Sequence, residues 1–154
     1  MHTGFYNAPA TVTSANQEGH LFDAEMFLHG VCGFFALALH DTFGYTIEAV
    51  YERPKAEESE EPEIEEHQWT DSLIHLYCIK GNKLIDVRGI TDNDVEFLDE
   101  FADFYNSVDD LCFQEIPASD LRDWLSAINT SENVIDCYNA ARNLINEHKE
   151  YYIV

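Results

Sequence analysis

The sequence predicts an α+β fold in which a small antiparallel sheet carries helices before and after it. Strand-like runs of β-branched and aromatic residues occur at YTIEAVY (45–51) and twice within LIHLYCIKGNKLIDVRGI (73–90), where a Gly-Asn turn separates two arms. Helical spacing of apolar residues occupies 23–43, 91–107 and most of the C-terminal third. The order is helix, three strands, helix, short strand and two helices, which is the sequence pattern of an α+β chain. At 154 residues the chain, 1–154, fits one domain.

Residues 1–22, rich in Thr, Ala, Asn and Gly, read as an irregular arm. The helical pattern from Asp23 to Phe43 has a break at Gly30, and Gly44 suits the left-handed position that ends a helix. Val31, Phe34, Phe35, Leu37, Ala38 and Leu39 cover every side of the second piece, so this helix is expected to be central and buried. Residues 52–71 are acidic, with seven glutamates in 57–66 beside Pro54 and Pro62. They read as a solvated loop between strands, or as an acidic docking segment or lid; both readings stay open. Thr91 or Asp92 is expected to cap the helix at 91–107, with Val95, Leu98, Phe101, Ala102 and Tyr105 on its apolar face. LCFQEI (111–116) is a short strand closed by Pro117. Ser119 is expected to cap a helix burying Leu121, Trp124, Leu125 and Ile128, and a last helix starts near Ser131.

Charge narrows the function. Thirty acidic residues against eight Lys and Arg give a formal net charge of −22. Direct binding to nucleic-acid phosphates is excluded, because association would add repulsion where a binder needs cations. An acidic surface of this kind can instead attract a basic protein or imitate DNA phosphates. No apolar run is long enough to cross a bilayer, and the first residues show no signal peptide. Cys32, Cys78, Cys112 and Cys137 form no CxxC pair, so reduced thiols and a cytoplasmic location are expected. His29, His40 and His75 with the cysteines make no zinc-like pair of pairs, and there is no phosphate loop, GxSxG or EF-hand. No metal or cofactor is expected.

One thiol stands out. Cys32 lies at the start of the buried helix between Gly30 and Gly33. The positive end of the helix dipole would favour the thiolate there, and first-turn N–H groups could hold an oxyanion. Small neighbours would let a substrate carbonyl approach. A nucleophilic cysteine needs a base, and the base an orienting group. The hairpin supplies both types. With a two-residue Gly81-Asn82 loop, Tyr77 opposes Asp86 and His75 opposes Arg88, so His75 and Asp86 share a face as diagonal neighbours. A Lys80-Gly81 loop puts them directly opposite, and an odd-length loop or bulge, which KGNK permits, separates them. Two competing accounts accompany the triad: an Asp86–Arg88 ion pair, and His75 as a hydrogen-bonded core or surface histidine. Cys78, Cys112 and Cys137 sit at apolar positions and read as structural.

Cys at the start of a central helix, then His on one strand and Asp on the next, resembles the papain-like cysteine peptidase superfamily. CGFFALAL is similar to the Cys-Gly helix start of bacteriocin-processing peptidases, and HLYCIKGNKLIDVRG to their His-strand, turn and Asp-strand. Transglutaminase-like and NlpC-type proteins share the architecture, and the pattern also resembles small phage- and plasmid-borne proteins. The likeness covers about residues 28–90. It implies Cys32 as nucleophile, His75 as general base and Asp86 as orienting acid. The bacteriocin-processing peptidases carry a Gln before the Cys as oxyanion donor, where this chain reads EMFLHG; His29, or Gln17 from the arm, is the candidate replacement. The expected function is a thiol-dependent hydrolase or acyl transferase acting on an amide or related acyl bond of a peptide or protein. The alternative is a catalytically inactive acidic inhibitor that engages a basic or nucleic-acid-binding partner.

Overall fold

A computed structural model describes residues 13–15, 21–23, 26–53, 68–70 and 72–154. Its core is a five-stranded antiparallel sheet flanked by helices, as the sequence pattern predicts. Part of the expected irregular arm is ordered: β1 (Thr13–Ala15) and β2 (Leu21–Asp23) pair antiparallel, so Asp23 ends a strand instead of opening a helix. A single π turn, Met26–Gly30, then leads through Val31 into α1 (Cys32–Phe43), which reproduces the predicted break. Every residue from Gly33 to Leu39 is buried, as expected of a helix apolar on all sides. It stops where Gly44 adopts φ 78° and returns its N–H to the His40 carbonyl.

β3 (Thr46–Glu52) follows, then β4 (Leu73–Lys80) and β5 (Lys83–Asp86), joined by the two-residue Gly81-Asn82 loop. Residues 54–67 of the acidic segment lie outside the described residues. Its far end is not solvated: Trp69 is fully buried, its ring 5.1 Å from that of Trp124. The second arm of the predicted hairpin is two strands, not one. After Asp86 the chain turns at Val87-Arg88 and returns as β6 (Gly89–Thr91), with Gly89 at φ 103°.

The helix expected over 91–107 shortens to α2 (Asp94–Asp99), capped by Asn93 accepting from the Glu96 N–H, followed by two 3-10 turns at Ala102–Phe104 and Val108–Asp110. Asp99, Glu100 and Asp103 crowd its C-terminal end with like-signed charge, where the helix dipole favours cations. Val95, placed by periodicity on the apolar face, is 76% exposed, while Phe97, Leu98 and Phe101 are buried.

β7 (Leu111–Ile116) pairs with β3, giving the order β6-β5-β4-β3-β7. α3 (Ala118–Ile128) begins after Pro117 and has no Ser119 side-chain cap; it buries Leu121 and Leu125 but leaves Ile128 exposed. α4 (Ser131–Glu147) starts on a Thr130 cap, and α5 (Lys149–Tyr152) follows. Tyr152 ties the end of the chain to the sheet: its hydroxyl donates to the Val87 carbonyl, and its own carbonyl accepts from the Tyr45 hydroxyl.

Strand alternation divides the sheet into two faces. Ile47, Ala49, Leu76, Cys78, Ile85 and Val87 point toward α1, where the Cys78 thiol donates to the Ala36 carbonyl. Val50, Tyr77 and Leu111 point the other way, toward Phe97 and Leu98 of α2. Among the described residues no helix is long and apolar enough to cross a membrane.

Candidate functional site

The register that delivers His75 and Asp86 is that of the Gly81-Asn82 loop, one of those the sequence allows. Lys80 pairs with Lys83 and Cys78 with Ile85, and the ladder between β4 and β5 ends there. Just past its last rung, His75 Nε2 lies 2.9 Å from Asp86 Oδ2. The Asp86 carboxylate also accepts from the Arg88 N–H at 2.8 Å and from Arg88 Nη2 at 2.7 Å, with Arg88 Nε 3.1–3.2 Å from its two oxygens. Arg88 in turn donates Nη1 to the Phe97 carbonyl and lies 4.5 Å from the centre of the Phe97 ring. The His75 ring stacks on Phe101 at 4.4 Å and faces Tyr77 and Phe97.

All three polar residues are closed off from solvent, with His75 at 0%, Asp86 at 2% and Arg88 at 1% exposure. Burial alone would keep Asp86 protonated. The Arg88 charge and the His75 hydrogen bond overcome it and hold the carboxyl well below the usual carboxylate range. Asp86 is therefore ionised, and His75 Nε2–H donates to it. The imidazole is fixed in tautomer and orientation by a partner that is itself fixed. Both competing accounts of these residues, the Arg88 ion pair and the buried histidine, describe what the chain contains.

Cys32 is the first residue of α1, on an N-cap, Val31, that supplies no side-chain hydrogen bond. Its thiol lies against the main chain of Leu76, the residue next to His75. Burial pushes this thiol up to about 11; backbone hydrogen bonding from Leu76 and Gly33 pulls it down, and the nearby Asp86 charge raises it further. The helix start does not yield a thiolate at neutral pH, because desolvation outweighs the dipole. Gly33 does not open an approach for a substrate carbonyl either. A Cβ there would lie 3.1 Å from Leu125 Cδ2 and 3.2 Å from Leu76 Cδ1, so its small size serves close packing of α1 on the sheet and α3.

The structure thus joins His75 to Asp86 and sets Cys32 beside the same stretch of β4, within reach of the Asp86 charge. The thiol comes from the α1 face, whereas the His75 ring points to the α2 face. Gln17 and the His29 side chain, the candidate oxyanion donors, lie outside the described residues. Arg88 is the residue that sequence reasoning underweighted as part of the site. Its spacing, two residues after Asp86, was the available signal.

Two other concavities lie away from this cluster. One of about 250 Å³ sits among α1, α3 and α4, lined by residues that include Phe34, Leu37, Arg122, Leu125 and Tyr138. Another of about 330 Å³ lies beside Gly44–Ile47 and the end of β7. Among the described residues no group of three or more His, Cys, Asp or Glu side chains is arranged to hold a metal ion. No family model, curated protein or solved structure matches the chain.

Proposed function

We propose that the chain is a thiol-dependent hydrolase or acyl transferase on a papain-like core, acting on an amide or related acyl bond of a peptide or protein. Cys32 is the nucleophile, His75 the general base and Asp86 the orienting acid. The observation that carries this reading is the 2.9 Å bond from His75 to an ionised Asp86. That bond occupies Nε2, so proton exchange with the thiol falls to Nδ1. Because the thiol rests protonated, the chemistry is general-base: as the sulfur attacks the acyl carbon, the thiol proton passes to Nδ1 and the imidazolium is stabilised by Asp86. The same proton then goes to the leaving group as the acyl-thioester forms. Thiol and imidazole lie on opposite faces of β4, so the transfer requires the two to come together past the last β4–β5 rung at Cys78.

The test is acylation by p-nitrophenyl acetate at neutral pH, followed by mass spectrometry. One acetyl group is expected on Cys32, lost in Cys32→Ala and formed about 10²–10⁴-fold more slowly in a folded His75→Ala. Equal acetylation with and without Cys32, or no effect of His75→Ala, overturns the proposal.

A second reading has an observation of its own. His75 is wholly buried and Asp86 is chelated by Arg88, the arrangement of a structural polar network. On that reading the fold is a catalytically silent acidic protein that engages a basic partner, and binding survives Cys32→Ala.

A further inference from the structure

The sheet face turned away from α1 is only partly covered. Phe97 and Leu98 of α2 close over Val50 and Tyr77, but at the β3–β7 corner Phe113 is 52% exposed and Glu115 is exposed. At this corner Glu48 and Glu115 are direct cross-strand partners on one face, with Val50 and Phe113 the next pair on that face. Like charges placed directly opposite destabilise a ladder. Glu48 is half-buried and accepts the Tyr77 hydroxyl; burial, reinforced by the Glu115 charge, pushes its carboxyl up. A cation seated between the two carboxylates would relieve that repulsion.

The surroundings select the kind of cation. From Asp92 to Glu115 the chain carries nine acidic residues and no Lys, Arg or His. Phe104 and Val108, in the turns leading into β7, are 60% and 62% exposed. Two carboxylates are too few to hold a metal ion tightly, whereas a guanidinium can bridge them and lie on the Phe113 ring. β7 is the end strand of the described sheet and carries the exposed Phe113 on the same face as Glu115. A second copy of this protein would bring another −22 and is disfavoured.

We propose that the β3–β7 face is a docking surface for a basic polypeptide segment, anchored by an arginine between Glu48 and Glu115 against Phe113. This surface is separate from the Cys32 thiol and does not depend on its chemistry.

The probe is a fluorescein-labelled peptide of alternating arginine and valine, followed by anisotropy at physiological salt. Glu48→Gln with Glu115→Gln is expected to weaken binding by about tenfold or more, and Phe113→Ser by about fivefold or more. Glu132→Gln with Glu147→Gln removes the same charge from exposed positions on α4 and is expected to change it by less than about twofold. Cys32→Ala leaves binding unchanged. Glu115→Gln alone raises the thermal midpoint of the free protein while weakening the complex, which a purely structural residue would not do. Equal losses in the β-face and α4 variants, which would mean attraction to net charge only, overturn the proposal. So does wild-type protein that does not bind the peptide.

Discussion

Asp86 takes the side chains of His75 and Arg88 and the Arg88 N–H onto one buried carboxylate, and this has a consequence in acid. Its native pKa lies below the unfolded value, so its contribution to stability is present above the unfolded pKa of about 3.9 and is lost as pH falls below that toward the native value. In urea unfolding, the stability gap between wild type and Asp86→Asn is expected to be widest near neutrality and to narrow below about pH 4. A gap that stays constant with pH would show that ionised Asp86 contributes nothing. At this scale the sequence was informative about partnership: parity put His75 and Asp86 on one face for either two-residue loop and named Arg88 as the rival. It was uninformative about protonation. The Cys32 position suggested a thiolate because the dipole argument is local, whereas the desolvation that overrides it comes from burial in the assembled fold.

The elements that departed from expectation did so for reasons of turn chemistry and charge. LIDVRGI has the composition of a single strand, yet Gly89 at φ 103° lets the chain reverse after Asp86. That reversal swings Arg88 back onto the carboxylate two residues before it, with the turn held from outside by Tyr152 on Val87. Gly89→Ala is expected to cost about 1–3 kcal/mol in chemical denaturation, because an alanine has to hold a conformation that L side chains rarely adopt. Stability equal to wild type would mean the turn can be made another way. α2 was overextended in the sequence reading because apolar spacing continues through Tyr105, while its acidic C-terminal end works against further turns. α1 was legible throughout, since a run apolar on every side with a glycine after it leaves few alternatives.

Across the whole molecule the dominant fact is a net charge of −22 on 154 residues. Self-repulsion of this size opposes the compact state and is screened by salt. The thermal midpoint is therefore expected to rise between about 10 mM and 500 mM sodium chloride. A fall over that range would mean that attractive pairs such as Arg122 with Asp41 outweigh the repulsion.

The sequence by itself determined the α+β class, the buried helix beginning at Cys32, the two-residue hairpin and the common face of His75 and Asp86. Each of these follows from local periodicity or turn length, which act over a few residues. Tertiary structure alone decided that Arg88 folds back to chelate Asp86, that the Cys32 thiol is desolvated, and that α1 and the His75 ring lie on opposite faces of β4. It also decided that Glu48 and Glu115, 67 positions apart in the chain, stand side by side. Those outcomes depend on which element covers which face of the sheet, and covering is a long-range choice that short-range spacing does not encode.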